Sequence, residues 1–441
     1  MLVKYLKSFI IIEIFMTAIL SDDFRVKSAT DLMDSFVSKP SYIFIGKDSE
    51  WENIEEGEDP RNTVSYLKSS IKSIIQGKLI QAGNMSLVCN KFEWKQNEVY
   101  DMYDDIDSSL FSSQKQFYVI TPTNDVYKCL NNNGGRPSTI MPTGKSLTPI
   151  NLADKYVWKY MLRIPQTELD AFGTSQYFPV SNDPVNTTDQ YLVKSAAIAG
   201  AIQSYKITNG GGNYSAAALV ITGDGIGAKG LVEISNGVIT NILVSNPGSG
   251  YTFANVTVVG DGIAASVRPI LAPNNGHGYD AAYELGAHYL MIKMEFGAIL
   301  DNLRTVNDFS YKQVGIISNI KDSTSLVEFN NGILIGTHRV RVNSFGNIDV
   351  GDTLTFESDS SSCIVIGKYT NAGNYFILSD CRLPVVSEFI KLGNESPVQI
   401  LAVTKSDILK HSGNICYIEN RKGAIIKNPT QTETVRIIIE L

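Results

Sequence analysis

The N-terminal part of the chain alternates between helix-like and strand-like spacing of apolar side chains. Residues 31–37 place apolar side chains on one face, which predicts a helix, and residues 41–46 form a short apolar strand closed by glycine. Residues 48–62 are polar and acidic, with glycine and proline, and predict an exposed loop. Residues 64–80 then carry apolar side chains at the spacing of one helix face, which predicts a second helix over this range.

Strand-like patterns dominate the next part of the chain. The predicted strands are residues 86–89, 116–121, 125–130 and 156–165. Alternation along the last strand places three aromatic side chains on one face: Tyr156, Trp158 and Tyr160. The opposite face carries Val157, Lys159 and Met161.

An internal repeat marks residues 196–272, where the composition shifts to Gly, Ala, Val, Ile and Asn. Asn-Gly-Gly-Gly-Asn-Tyr at residues 209–214 is followed by Gly-Asp-Gly-Ile at 223–226. Asn-Pro-Gly-Ser-Gly-Tyr at residues 246–251 is followed by Gly-Asp-Gly-Ile at 260–263, with the same spacing. Two strands around an Asn-Gly turn separate the copies. The repeat predicts a small all-β module, duplicated in tandem and inserted into the chain.

A second β-rich stretch covers residues 323–403, with period-two alternation and glycine or aspartate turns. Together these patterns predict a mixed α/β, predominantly β, multidomain fold with a β-sandwich-like core and inserted all-β modules. The predicted division of the chain is 1–195, 196–272, 273–322, 323–403 and 404–441.

The N-terminus carries an apolar run behind two lysines, which resembles a signal peptide. Glu13 interrupts the run, no small-x-small cleavage site follows, and the run is shorter than the ~20 residues that span a bilayer. We favour the interpretation that Met16 is the working start, with residues 1–15 an upstream extension or a loosely held arm.

Composition excludes several classes of protein. The net charge of −7, from 38 basic and 45 acidic residues, does not show the excess of basic residues that is typical of nucleic-acid-binding proteins. The five cysteines are scattered without a CxxC motif, which predicts free thiols in a reducing compartment. The four histidines are equally dispersed, so spacing predicts no metal site. A nucleic-acid packager, a membrane channel and a disulfide-stapled mini-domain are therefore excluded.

Two glycine-bearing motifs could bind ions or nucleotides. Each Gly-Asp-Gly turn offers one carboxylate, at Asp224 and Asp261, whereas a calcium loop presents several oxygens, so turn chemistry is the favoured interpretation. The Gly-Lys-Ser at residues 144–146 lacks the first glycine of a Walker A motif, so no nucleotide cofactor is predicted.

Two further groups could support catalysis. Four carboxylates cluster at residues 100–107 without a nearby histidine, and we expect a solvated loop or a partner-facing edge. His411-Ser-Gly lacks the GxSxG elbow and a recognisable acid partner, so a hydrolase triad is not supported. The sequence predicts no catalytic residue, no cofactor, no small-molecule substrate and no enzymatic activity.

Three segments together resemble one known family, the dimeric baseplate wedge subunit of T-even-like contractile-tailed bacteriophages. Tyr-Val-Trp-Lys-Tyr-Met-Leu-Arg-Ile-Pro at residues 156–165 is close to the family's Tyr-Val-Trp-Glu-Tyr segment. Residues 311–319 are similar to its Phe-Arg-Gln-Ile-Ser-Ile-Ile-Thr-Asn-type strand. Residues 409–421 and 431–437 resemble its Arg-His-Ser-Gly-Glu, Glu-Asn-Arg and Asp-Gln-Thr-Glu-Glu ending.

Shorter segments that also resemble the family lie at residues 92–94, 127–130, 276–280 and 284–288. The last two resemble the form found in cyanophage relatives. The resemblance covers residues 16–194, 275–320 and 404–441. Residues 196–272 and 323–403 have no counterpart in the shorter T-even form.

The resemblance implies a structural virion protein of the tail baseplate that is assembled in the host cytoplasm. It implies a homodimer that binds other baseplate wedge subunits and rearranges with the baseplate at infection, without nucleic-acid or membrane partners. The family-motif residues that are candidates for an interface are Trp158, Tyr160, His411, Glu419, Asn420 and Arg421. For Trp158 and Tyr160 a core position is the favoured interpretation. Residues 419–421 are candidates for a strand that pairs within the dimer or with a neighbour.

Two other functions stay open at the level of sequence. The repeated Gly/Asn/Tyr module suggests a host-surface carbohydrate- or receptor-binding tail protein, which would need Tyr214 and Tyr251 exposed and coplanar. A glycan-degrading enzyme would need two carboxylates about 5–10 Å apart in a cleft.

Overall fold

The computed structural model of the chain describes residues 19–48, 51, 58–112, 115–296, 309–370, 372–427 and 432–441. The predicted N-terminal extension and much of the predicted 48–62 loop lie outside these residues. The fold is mixed and predominantly β, with several sheets and a small closed barrel, which confirms the fold class expected from the sequence. No described helix is long and apolar enough to cross a lipid bilayer.

Helices and strands are numbered in chain order. The described helices are α1 (Asp22–Ser38), α2 (Val64–Lys72), α3 (Gln166–Phe172), α4 (Asp189–Ser195) and α5 (Ala281–Glu284), with a 3-10 turn at Ala82–Asn84. Ser21 caps α1 by accepting a hydrogen bond from the Phe24 amide, and acidic residues fill the first turn, where they favour the helix dipole. The helix predicted at residues 31–37 is therefore confirmed as the second half of α1.

A five-stranded antiparallel sheet combines two strands from the N-terminal part of the chain with three from the C-terminal part. Its order is β17 (Ile333–Ile335), β2 (Ile74–Leu79), β1 (Ser41–Gly46), β16 (Phe309–Ser318) and β24 (Asn414–Lys427). The sequence prediction of one helix over residues 64–80 is wrong beyond Lys72. The helix ends at Lys72 with Ser73 as its C-cap, and consecutive β-branched Ile74 and Ile75 enter the pleated sheet, where such side chains pack well.

Two four-stranded sheets complete the core. The first has the order β25 (Glu433–Glu440), β15 (Tyr289–Phe296), β3 (Met85–Asn90) and β8 (Tyr177–Val180). The second has the order β4 (Tyr118–Ile120), β5 (Asp125–Asn132), β7 (Tyr156–Arg163) and β6 (Ile150–Asn151). The predicted strands at 86–89, 116–121, 125–130 and 156–165 all fall in these two sheets.

The first four-stranded sheet joins the other two through one of its faces. Leu87 packs in a cluster with β5 and β7 side chains, and the neighbouring Leu290 packs in a cluster with β1 and β16 side chains. The opposite face, with Val88 and Met291, packs with Phe172 of α3. The core of the protein is therefore a set of sheets packed face to face.

The duplicated module contains six strands. They are β9 (Ile202–Gly212), β10 (Ala217–Gly223), β11 (Lys229–Ser235), β12 (Val238–Asn246), β13 (Ala254–Gly260) and β14 (Ile263–Leu271). The equivalent strands β10 and β13 pair with each other, and β14 pairs with β9 as β11 pairs with β12. The two copies are therefore related by an internal pseudo-two-fold arrangement.

The second β-rich stretch closes into a barrel with the order β18, β21, β20, β19, β22 and β23. These strands are β18 (His338–Val342), β19 (Thr353–Phe356), β20 (Ser362–Thr370), β21 (Asn374–Ser379), β22 (Phe389–Lys391) and β23 (Val398–Thr404). The barrel begins at His338, downstream of residue 323, because β17 before it belongs to the five-stranded sheet.

Candidate interaction surface and buried charge cluster

The aromatic side chains of β7 lie inside the core. Trp158 is completely buried, stacks on Tyr156 with ring centroids 5.6 Å apart, and meets Tyr100 edge-on at 5.7 Å. Tyr160 is also buried, and its hydroxyl donates to Asp189 Oδ2 at 3.1 Å. The burial of both side chains confirms the core position favoured for Trp158 and Tyr160 and removes them from the candidate interface.

The C-terminal candidates lie on or next to β24, at the edge of the five-stranded sheet. His411 is exposed just before this strand, and Arg421 Nη2 lies 3.1 Å from Glu419 Oε1 on its surface. Asn420 instead faces other core segments, because its Nδ2 donates to the Glu58 carbonyl and the Tyr66 hydroxyl, both at 2.6 Å. Within the described residues no further strand pairs with the outer edge of β24. This strand therefore offers an edge for pairing with another chain.

Four charged or titratable side chains form a buried group that we call the charge cluster: Lys128, Lys159, His277 and Glu284. Lys128 Nζ donates to Glu284 Oε2 at 2.8 Å and lies 3.1 Å from His277 Nδ1. The Gly278 amide donates to Glu284 Oε1 at 2.7 Å. Lys159 Nζ donates to the Leu147 carbonyl at 2.5 Å. All four side chains are almost completely buried, so the cluster is inaccessible to a substrate.

Burial and mutual charge shift the pKa of each member of the cluster. Burial lowers the pKa of His277 to about 4, reinforced by the charge of Lys128, so this imidazole is neutral at pH 7. Burial alone would raise the pKa of Glu284, but the charge of Lys128 and hydrogen bonds outweigh it and lower the pKa to about 2. Burial lowers the pKa of Lys128 and brings that of Lys159 to about 8. Within the cluster Lys128 and Glu284 form a buried ion pair, which joins β5 to the segment around α5.

Sequence reasoning missed this cluster although it had singled out the segments that carry it. Each of its four side chains comes from a different segment of the family resemblance: residues 127–130, 156–165, 276–280 and 284–288. Lys128 and Lys159 stand in otherwise apolar strands, and a charged residue in a buried strand is rare unless it is paired. That signal could have identified the lysines, but their partners lie too far along the chain to be assigned from spacing.

The carboxylates at residues 100–107 do not form the free solvated loop that the sequence suggested. Asp104 Oδ2 accepts from Lys206 Nζ at 2.8 Å, and Arg268 bonds both Asp104 and Asp105. Burial would raise the pKa of Asp104, but hydrogen bonds from Lys206, the Ile106 amide and Arg268 lower it. The loop therefore contacts a partner within the same chain and ties the duplicated module to the core.

A polar cleft of about 770 Å³ opens beside this loop, between the core and the duplicated module. Asp104 and Asp107 both line the cleft, and both have a lowered pKa. For Asp107 the main cause is the hydrogen bond from the Ser109 hydroxyl. The general acid of a glycosidase has a raised pKa, which neither Asp104 nor Asp107 has; Asp101 also lines the cleft.

The repeated aspartates join the two copies of the module from exposed positions. Asp224 accepts hydrogen bonds from the amides of Thr252 and Phe253, and Asp261 likewise accepts from the amides of Ser215 and Ala216. Each carboxylate therefore binds the other copy of the repeat. Among the described residues no group of three or more His, Cys, Asp and Glu side chains is placed to hold a metal ion.

The tyrosines of the repeat are buried. Tyr214 and Tyr251 expose 6% and 7% of their surface, and their hydroxyls accept from the amides of Ala265 and Ala228. The second glycine of each Gly-Asp-Gly turn packs on a tyrosine ring, since a Cβ at Gly262 would lie 2.4 Å from the Tyr214 ring. The exposed, coplanar aromatic platform that a carbohydrate site would need is not formed by these two residues.

Comparison with known proteins returns no match: no protein-family model matches the chain, and neither does any curated protein sequence.

Proposed function

We propose that this chain is a structural subunit of the baseplate wedge in the virion of a contractile-tailed bacteriophage. It assembles as a homodimer in the host cytoplasm, binds neighbouring wedge subunits and takes part in the baseplate rearrangement at infection. It acts through binding surfaces and performs no catalysis.

The observation that carries this proposal is where the family-like segments fall in the fold. Residues 156–165 form β7, and residues 311–319 and 409–421 lie on the adjacent strands β16 and β24. Four family-like segments also supply the charge cluster, which holds two parts of the core together. The resemblance therefore follows one connected scaffold, as expected if the chain shares the framework of the wedge subunit.

The outer edge of β24 is the surface on which we place subunit contacts. Among the described residues no strand pairs with this edge, where the Trp51 indole donates to the Arg421 carbonyl; the exposed Ile426 and the Glu419–Arg421 pair lie on the same strand. Strand addition at such an edge provides main-chain hydrogen bonds, and the side chains on either face provide specificity. The buried Tyr214 and Tyr251 remove the observation that favoured a carbohydrate- or receptor-binding protein.

The test is co-expression of the full chain with the neighbouring wedge proteins of its phage, followed by affinity purification and measurement of molecular mass by light scattering. We expect a homodimer that co-purifies with at least one wedge subunit. A chain that stays monomeric and binds none of them contradicts the proposal.

A matched pair of variants locates the surface. Ile426→Lys adds a charge at a residue of β24 that is 66% exposed, and we expect it to weaken dimer formation or subunit binding. Ile226→Lys makes the same change at a residue of the duplicated module that is 75% exposed, and we expect no effect. Equal behaviour of the two variants would remove β24 from the interface.

A further inference from the structure

A partly enclosed cavity, lined by apolar and uncharged polar side chains, lies where the duplicated module meets the core. Its volume is about 300 Å³, and its walls come from the loop at Leu147, from Val157 of β7, and from Ile242 and Val244 of β12. Among the described residues no Lys, Arg, His, Asp or Glu side chain lines it. A charged group would lose its hydration there without a compensating partner, so the cavity selects an uncharged occupant.

One polar side chain in the wall has a buried oxygen without a hydrogen-bond partner among the described residues. Gln203 of β9 is 8% exposed, and its Oε1 is buried without a hydrogen-bond partner among the described residues. The next residue, Ser204, is satisfied, because its hydroxyl donates to the Leu130 carbonyl at 2.6 Å. Most buried polar side chains in folded proteins have a partner, so an unpaired carboxamide in the wall of a cavity points to a ligand.

The repeat supplies an internal comparison for this residue. With Asn209 aligned on Asn246, Gln203 corresponds to Thr240 in the second copy. The Thr240 side chain is exposed and donates to the Glu233 carbonyl at 3.4 Å. The two copies therefore differ at this position. Only the first copy has a buried carboxamide oxygen without a hydrogen-bond partner among the described residues, and this residue borders the cavity.

We propose that this cavity is a binding site for a small, uncharged, flat and mostly apolar molecule that carries an N–H or O–H donor. A dry cavity of about 150 Å³ accommodates benzene, so 300 Å³ has room for a bicyclic ring. The donor would bind Gln203 Oε1, and the apolar walls would cover the ring faces. This site is separate from the edge of β24, and its occupation does not depend on wedge assembly.

The experiment compares indole with indene, two bicyclic probes of the same shape that differ in the N–H group, by calorimetric titration into the full chain. We expect one saturable site that binds indole roughly tenfold more tightly than indene, as one hydrogen bond to a buried acceptor predicts. Gln203→Leu keeps the size of the side chain, and we expect it to abolish this preference. Thr240→Val, the matched change in the second copy, is expected to leave it unchanged.

A second variant locates the binding in the cavity. Val244→Trp fills the space, and with an unchanged circular dichroism spectrum it should abolish binding of both probes. Absence of saturable binding to the wild-type chain would overturn the proposal. It would also be overturned by an indole preference that survives Gln203→Leu, or by indole binding that survives Val244→Trp.

Discussion

The charge cluster makes a sharp prediction about the substitution Glu284→Gln. Glutamine keeps the shape of the side chain and an oxygen that can accept from the Gly278 amide, now 2.7 Å from Glu284 Oε1. It removes the negative charge opposite Lys128, whose side chain is completely buried, and puts an amide nitrogen in place of the oxygen that accepts from Lys128 Nζ. The variant therefore tests the loss of the charge and of its hydrogen bond at nearly constant side-chain volume.

Two independent arguments give the magnitude. Removal of one partner from a buried ion pair typically costs about 3–5 kcal/mol. Lys128 can also lose its proton and become neutral. Deprotonating a lysine at pH 7 requires about 1.36 kcal/mol of free energy for each pH unit below its unfolded-state pKa. Over roughly 3.4 units this is ~4.6 kcal/mol. The deprotonation route limits the cost, so we expect Glu284→Gln to lower the free energy of unfolding by about 3–5 kcal/mol.

The assay is urea denaturation followed by tryptophan fluorescence, with hydrogen exchange of β5 and β7 amides, because a multidomain chain need not unfold in one step. The matched control is Glu233→Gln at the Lys155–Glu233 pair, which has the same 2.8 Å separation at a solvent-exposed site. Such exposed pairs contribute about 0–1 kcal/mol. The double variant Lys128→Met/Glu284→Gln removes both charges and should recover most of the lost stability.

Two results would refute this reasoning. One is a cost for Glu284→Gln no larger than that for Glu233→Gln. The other is a double variant as unstable as Glu284→Gln alone, which would mean that shape or hydrogen bonding, and not the unbalanced charge, determines stability at this position.

Three further predictions concern the modules and the thiols. Hydrogen bonds, chiefly from hydroxyl groups, lower the pKa of Asp224 and Asp261 to about 2, so their stabilisation is present above pH ~4 and is lost as the pH falls through about 2. The protection factors of the module amides, taken relative to the intrinsic exchange rate at each pH, should therefore fall over this range in the wild-type chain, and Asp224→Asn/Asp261→Asn should flatten the pH dependence; equal acid sensitivity would contradict the assignment. Gly262→Ala places a Cβ 2.4 Å from a tyrosine ring and should cost about 1–3 kcal/mol in chemical denaturation, whereas Gly212→Ala meets no atom within 4 Å and should be near neutral. In a thiol titration of the native chain only Cys416 should react rapidly, since the other four cysteines are buried, and Cys416→Ser should remove the fast phase.

Local sequence was sufficient where the structure depends on neighbours along the chain. The helix at residues 31–37 and the strand at 41–46 follow directly from apolar spacing. The Asn-to-Tyr and Gly-Asp-Gly spacings predicted a duplicated β module because each copy builds the same turns. Family-like residues located the core strands, and the core position favoured for Trp158 is the one that the structure has.

Sequence reasoning failed where distant residues decide the outcome. Residues 64–80 have apolar positions that fit a helix, and only pairing with β1 and β17 makes Ile74–Leu79 a strand. Asp104 looked like part of a solvated acidic loop because its partners, Lys206 and Arg268, lie in the inserted module. The cavity beside Gln203 arises only when that module meets the core.

Both inserted modules begin and end on neighbouring strands. In the duplicated module Ile202 is the register partner of Leu271, and in the barrel Arg339 pairs with Thr404. Each module therefore leaves the core and returns to it at two adjacent points, as a hairpin does, whatever its length. A lineage could acquire, exchange or discard such a unit in one genetic event without rerouting any core strand, and a protein engineer could replace it at the same two points.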